Sequence, residues 1–402
     1  EAQRRWRLSE RLGLAAGLYA GGGGGAAAPV GGGLMLRPHA DFVLDMGGWQ
    51  LGLSASHVRF PSGDIHSTQL GVVMMVEDRF SYTAPGHGGE TVDFGGRGGL
   101  GADAMHLTLG AYTRRTDSPQ TLGYVGMRLE QGLDSVWSAN LEAAGAAHGG
   151  SEGYAEMLGG VSALWPVAGD TLRLGARAAL GLGGGGAVRT GGGLIGKAAL
   201  AGRLQLGRKF SIDLEGGEVK GLRGGGFSAR YAQVSLGMAL GESGGFGGWG
   251  PRQRVTDMGW ELSVQHYLDA ARKDGSSHSL QAVGLKFRRS FTPNFYLTGQ
   301  AHTAFAGGAG AYSVGLVGIG AMARPFGKAT PWSIGAEALV GAAGGGGVAT
   351  KGGAIAQPMA WVGRDLGTYS RVRVAGGYVK SKGGQLATPV VEVSWGMDFG
   401  SP

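Results

Sequence analysis

The chain has no cysteine, so no disulfide framework holds it together and no thiol chemistry is open to it. Proline is scarce, 13 among 402 residues, which argues against a disordered Pro/Gly-rich tether. Mean hydropathy is close to zero, and no stretch approaches the ~18 consecutive apolar residues of a membrane-spanning helix. A membrane β-barrel escapes that test, because its apolar residues alternate with polar ones and dilute the average. No Lys/Arg run exceeds two residues, so the net charge of +7 does not form a nucleic-acid patch, and nucleic acid is not expected as a partner. The opening residues Glu1-Ala2-Gln3-Arg4 show no charged-then-apolar signal, which fits an exported chain whose signal has been removed. The lack of cysteine suits passage through an oxidising periplasm.

Glycine is what the chain has in excess: 86 residues, about three times ordinary usage. It does not follow the third-residue repeat of collagen. The aromatic content, 9 Trp, 11 Tyr and 13 Phe, is too high for a simple linker.

The main signal is alternation with period two. From Leu34 the even positions read Leu34, Leu36, Pro38, Ala40, Phe42, Leu44 and Met46, against Arg37, His39, Asp41 and Asp45 on the odd side. The pattern recurs around Leu107, Leu141, Leu174, Ile212, Leu262 and Val393, all expected to face lipid. Such runs match the ~9–11 residues of a tilted transmembrane strand. Three segments, 153–165, 311–324 and 352–364, are small or apolar on both faces and have no readable orientation. Strands are expected at about twenty places, the first spanning 5–20.

Three glycine blocks share one plan. Gly21 to Gly25 is followed by Gly31 to Gly33, Gly183 to Gly186 by Gly191 to Gly193, and Gly344 to Gly347 by Gly352 and Gly353. The first block of each ends at 25, 186 and 347, a spacing of 161. The chain therefore reads as a half repeat, 1–77, and two fuller ones, 78–240 and 241–402. A propeller of five four-stranded blades is the rival fold, but its strands are short. Short turns fall on one side of the strands and the glycine blocks on the other. The links 78–103 and 241–256 are the long exceptions, and they carry Phe80, Tyr82, Phe94, Phe246 and Trp249.

The last strand, Val391-Glu392-Val393-Ser394-Trp395-Gly396-Met397-Asp398-Phe399, is apolar at every second place and closes on an aromatic. It resembles the C-terminal targeting strand of bacterial outer-membrane barrels, although Gly400-Ser401-Pro402 follow the aromatic. Trp395, Met397 and Phe399 would carry the insertion signal. The resemblance implies an all-β fold, a transmembrane antiparallel up-and-down barrel of about 20 strands in the bacterial outer membrane. Its partners would be outer-membrane lipid and the barrel-insertion machinery. In size and aromatic content the chain is also similar to the export barrels of exopolysaccharide systems, but it shows none of their sequence motifs.

Reactive motifs are weak. Gly191-Gly192-Gly193-Leu194-Ile195-Gly196-Lys197 looks like most of a P-loop, but Ala198 stands where Ser or Thr would hold Mg²⁺. Gly315-Leu316-Val317-Gly318-Ile319-Gly320 lies within a strand. The nine histidines make no metal motif, and no Gly-x-Ser-x-Gly elbow is present. No catalytic, metal or cofactor site is expected, and the chain is read as a non-enzyme. His106 and His302 are expected to be ordinary lumen residues.

The functional expectation is an outer-membrane channel or export pore with a wide lumen. Its lumen would be lined by Arg37, Asp41, Arg128, Glu130, Glu142, Arg173, Arg177, Lys197, Arg203, Glu261, Lys286, Arg288, Arg371 and Arg373. Ten of these are basic and four acidic, which favours anionic solutes. The alternative is a non-transporting scaffold that anchors a surface or periplasmic assembly, with 78–103 and 241–256 as partner sites and oligomers allowed. A link folded into the lumen would narrow the pore.

Overall fold

The computed structural model describes residues 1–25, 28–76, 80–94, 102–114, 121–169, 171–224, 226–240, 252–327 and 330–401. Every regular element among them is a β-strand. The first five strands are β1 (Ala2–Arg7), β2 (Leu12–Gly22), β3 (Leu34–Asp45), β4 (Trp49–Arg59) and β5 (His66–Val76). They form an open antiparallel sheet in chain order. A three-residue strand, β6 (Thr91–Asp93), follows.

The next eight strands are β7 (Ala104–Arg114), β8 (Thr121–Gly132), β9 (Trp137–His148), β10 (Ala155–Ala168), β11 (Leu172–Gly184), β12 (Leu194–Leu206), β13 (Phe210–Gly221) and β14 (Ser228–Ala239). They close on themselves: β14 returns to β7, with Ala239 opposite Ala104 and Val234 opposite Leu109. The short strand β15 (Arg252–Arg254) pairs back with β6.

A second closed barrel consists of β16 (Thr256–Ala271), β17 (Ser277–Ser290), β18 (Phe295–Ala306), β19 (Ser313–Ala323), β20 (Trp332–Gly344), β21 (Ala354–Asp365), β22 (Ser370–Ser381) and β23 (Ala387–Ser401). Here β23 meets β16, with Ser401 opposite Thr256.

The expectation of one barrel of about 20 strands is therefore corrected: the described residues form two closed barrels of eight, an open sheet of five and the short pair β6 and β15. Alternation reports that a strand has a wet and a greasy face. It does not report which distant strand closes the sheet. The expected strand at 5–20 is also two strands, β1 and β2, joined by a tight turn in which Leu8 N–H donates to Leu12 carbonyl oxygen at 2.8 Å. Four-stranded blades are not formed among the described residues.

The glycine blocks are equivalent hairpin links. Leu34 stands opposite Gly22, Leu194 opposite Leu182 and Ala354 opposite Ala342, so the structural step is 160 residues, one fewer than the block ends suggest. Gly185 and Gly186 have φ of 92° and 52°, and Gly345 and Gly346 have 90° and 55°. This left-handed geometry favours glycine, since a side chain there meets its own backbone. Each pair also lies against its own barrel's neighbouring turn. A Cβ on Gly185 would collide with the Gly153 carbonyl, and one on Gly345 with the Ala311 carbonyl.

Candidate functional site: barrel interiors and the glycine rim

Inside the first barrel the inward parity of each strand delivers charges to one layer. Arg203 on β12 makes a two-pronged contact with Glu130 at 2.8 Å through both terminal nitrogens, and it reaches Asp213 through Nε at 2.8 Å. Arg128 donates to Asp213 at 2.9 Å and to Glu215. Arg177 donates to Asn140 at 2.8 Å, and its Nη1 lies 3.2 Å from Glu142. Lys197 donates to Glu156 at 2.6 Å and to Glu142 at 3.3 Å. Its ammonium also lies about 5 Å from the rings of Tyr112, Tyr124 and Tyr231. Above the charges, towards the glycine rim, Tyr112, Tyr124, Tyr154, Phe227 and Tyr231 form an aromatic layer.

The second barrel repeats the plan. Arg373 joins Glu261 at 2.9 Å to Glu337 at 2.7 Å, and Lys286 joins Glu392 at 2.7 Å to Glu337 at 3.2 Å. Arg288 and Arg371 both reach Asp398. Tyr267, Tyr312, Leu280 and Leu386 fill the end nearest the glycine rim.

Of the expected lumen residues, Arg128, Glu130, Glu142, Arg177, Lys197, Arg203, Glu261, Lys286, Arg288, Arg371 and Arg373 are buried inside the two barrels. Asp41 is buried on the concave side of the open sheet, and Arg37 beside it donates to Ser56 at 3.1 Å. Arg173 lies at a rim and donates to the Ser135 carbonyl at 2.6 Å. His106 and His302 are buried in the first and second barrel. Six interior carboxylates were absent from the expected set: Glu156, Asp213, Glu215, Glu337, Glu392 and Asp398. Five stand on strands whose alternation is plain, so parity alone marks them. Glu156 lies in a segment that had no readable orientation. With these six included, the eight expected basic groups inside the two barrels face nine acidic ones, and the basic excess behind the expected anion preference disappears.

The wide lumen is a further correction. An eight-stranded barrel has an interior just wide enough for side chains to fill it. Arg128 keeps 2 % of its surface and Glu142 none.

His106, Glu130 and Asp213 bring three ligand-type atoms within 4.8 Å of one another. Arg203 and Arg128 already neutralise both carboxylates, so a cation there would meet two guanidiniums. The donor set fits an ion-pair layer better than a metal centre. The P-loop-like segment opens strand β12, not a helix, and sends Lys197 into the interior.

The outer faces are apolar. Leu109, Leu141, Leu174, Leu214 and Leu236 project from the first barrel, and Leu262, Leu285, Val374 and Val393 from the second. Leu200 is 77 % exposed. Of the other residues expected on this face, Phe42 is exposed, and Leu36, Leu107 and Ile212 are half-buried. Charge inside and leucine outside is the reverse of a water-soluble protein, and strands of 11 to 16 residues are long enough to span hydrocarbon. The chain is a membrane-type antiparallel β-barrel protein.

The units meet at the glycine rim, and they do so the same way twice. A Cβ on Gly353 would collide with the Ala146 carbonyl of the first barrel. A Cβ on Gly33 would fall 2.5 Å from the Ala304 carbonyl of the second. Ala146 and Ala304 are matching residues, on β9 and β18 just before the turns Gly149-Gly150 and Gly307-Gly308. The open sheet thus docks on the second barrel, and the second barrel docks on the first. The docking wall carries Gly22 or Ala342. The equivalent residue on the first barrel's wall, which meets no other unit among the described residues, is Leu182, 64 % exposed.

At the opposite rim Phe80 packs on Trp260 and Phe399, with ring centroids 5.7 and 5.2 Å apart, and Tyr82 packs on Tyr369 at 6.0 Å. Thr83 pairs with Gly400 across the end of β23. The described part of 78–103 therefore straps the rim of the second barrel. Residues 241–251, with Phe246 and Trp249, lie outside the described residues. Of the expected insertion signal, Trp395 and Met397 point outward and Phe399 is buried in this aromatic cluster.

No protein-family model matches the chain, and no curated protein matches it in sequence. Among solved structures it is similar to OccK5 (OpdH) of Pseudomonas aeruginosa, at 10% identity over 99% of this chain and 98% of that one, with a TM-score of 0.25. OccK2 (OpdF) of the same organism, in complex with glucuronate, shares 10% identity over 97% and 98%, TM-score 0.26. The KdgM porin, in complex with disordered oligogalacturonate, shares 6% over 73% and 98%, TM-score 0.18. At these scores the backbones do not superpose as one shared barrel, and the likeness assigns this chain neither cargo nor pore.

Proposed function

We propose that the chain is an outer-membrane protein of a Gram-negative bacterium whose two closed barrels form a membrane scaffold, holding glycine-rich loops in fixed relation at one rim. The observation that carries this reading is the inverted polarity of two closed barrels, apolar outside and filled with paired charges within. Helices and closed barrels are the structures that satisfy every backbone group in hydrocarbon. Outer-membrane lipid would bathe the leucine belt, and the barrel-insertion machinery would take β23. The described part of the strap, 80–94, would offer a periplasmic partner its exposed polar side chains, among them His87 and Glu90.

A narrow gated channel is the second reading. It is favoured by interior polar atoms that find no partner among the described residues: both side-chain ends of Gln300 and of Gln357, and Oγ1 of Thr108. Buried groups of this kind are ordinarily satisfied by water. Planar-bilayer recordings of the purified chain test the two readings. The scaffold gives no wide-pore steps, and it stays silent when Glu142→Gln loosens the ion-pair layer. A channel gated by that layer gains conductance in the same variant. Large steps from the unaltered chain would overturn the scaffold.

A further inference from the structure

The open sheet matches the last five strands of each closed barrel in order and direction. β2 and β3 flank a glycine block as β11 and β12 do, and as β20 and β21 do. In the closed barrels both ends of that run are paired onward: β10 to β9 and β14 to β7, β19 to β18 and β23 to β16. Among the described residues, β1 of the open sheet pairs with β2 alone and β5 with β4 alone. The convex side is as apolar as the barrel walls, with Leu53, Leu70 and Met74 among the most exposed side chains. The concave side carries Asp41, Ser54 and Ser56, all buried. On the membrane reading above, this sheet sits in hydrocarbon, which has no partner to offer an unpaired ladder edge.

Strand direction restricts what can cover the edges. Five alternating strands leave β1 and β5 running the same way. Antiparallel pairing on both edges needs an odd number of added strands, with the outer ones running the opposite way. The open sheet of a second copy, inserted in the same orientation, would present edges that run parallel to β1 and β5. Both closed barrels solve the problem with three strands, up, down and up.

We propose that a three-stranded antiparallel β-segment on the plan of β7–β9, from outside residues 1–402, enters between β1 and β5 and completes an eight-stranded barrel. The sheet curls across the gap, with Arg5 Nη2 of β1 lying 3.3 Å from Met75 Sδ of β5. The entering segment displaces that contact.

The absence of cysteine allows a direct test. The full chain carrying Val72→Cys is folded into vesicles with a separate polypeptide of residues 102–154 carrying Leu109→Cys. Val72 is the outward residue of β5 that matches Val234 of β14, and Val234 pairs with Leu109. The expected result is a disulfide between these two positions, none when the probe carries Thr113→Cys instead, and slowed amide exchange in β1 and β5. Absence of the cross-link with unchanged exchange in β1 and β5 overturns the proposal. Full protection of both edges in the chain alone overturns it as well. Failure of the membrane reading shows separately, as failure of the 402-residue chain to insert into vesicles without probe.

Discussion

Glu152, in the turn between β9 and β10 of the first barrel, accepts a hydrogen bond from Lys273 Nζ at 2.8 Å and one from the Gly352 N–H at 3.2 Å, both in the second barrel. One carboxylate thus binds a side chain and a glycine-block amide of the neighbouring unit. It adds a polar clasp to an interface in which backbone packs closely, with Gly344 against Gly153.

This clasp is pH-dependent. Partial burial pushes the Glu152 carboxyl up, but Lys273 and the backbone donors outweigh it and hold the group below the usual carboxylate range. A depressed folded value contributes stability above the unfolded value, about 4.3, and loses it as pH falls through the folded value. Lys273 is half exposed, so the contribution is at most ~1 kcal/mol. Energy transfer between dyes on the two barrels should fall modestly between pH 5 and pH 3, and the fall should vanish in Glu152→Gln.

Docking should be sensitive to a single methyl group. A Cβ on Gly344 would collide with the Gly153 nitrogen, whereas the matching Gly184 has Thr190 Oγ1 as its nearest neighbour, at 3.2 Å. Gly344→Ala is expected to separate the barrels while each stays folded, and Gly184→Ala to leave them docked. Ala342→Leu, which copies Leu182 into the docked wall, should act like Gly344→Ala. Cross-linking between 150 and 350 distinguishes the outcomes.

The leucine belt should refuse charge. Leu214 lies mid-strand on β13 and is 60 % exposed on the outer face. Leu214→Arg should cost ~2–4 kcal/mol in vesicle-refolding titrations. Equal stability of variant and parent would remove lipid from that face.

The interior ion pairs should be expensive to break singly. Arg203→Met leaves Glu130 without its two-pronged partner and weakens the hold on Asp213 in a buried layer. A loss of ~3–5 kcal/mol is expected in urea titration, because the remaining charge is uncompensated. Replacing Arg203 and Glu130 together by Met and Leu should recover part of that loss.

Much of the strand layout could be read from the residues. Alternation around Leu141 and Leu174 names the outer wall, and Arg128, Glu142 and Arg177 fall on the inner parity. The step that could not be read was closure. Pairing Val234 with Leu109 is a contact between distant residues, and neither carries a local mark of it. The repeat was the available clue, since eight strands per period is the content of one small closed barrel. Orientation failed for 153–165, where glycine and alanine on both faces hide Glu156. The turn between Arg7 and Leu12 was missed because no proline or paired glycine marks it. The glycine rim was legible as a spacing but not as an interface, because glycine's part there is the side chain it lacks.

Closure by repeat also bears on how the chain is assembled in a bilayer. In one barrel of about twenty strands, the first strand would wait with a bare edge until the last arrived. Here β7 is sealed by β14 and β16 by β23, so each closed barrel holds no more than eight of its own strands open. Each closed unit can be released sideways into lipid while the next is still being paired. Closure of one barrel then does not wait on closure of the other, and a stall in one leaves the other free to seal.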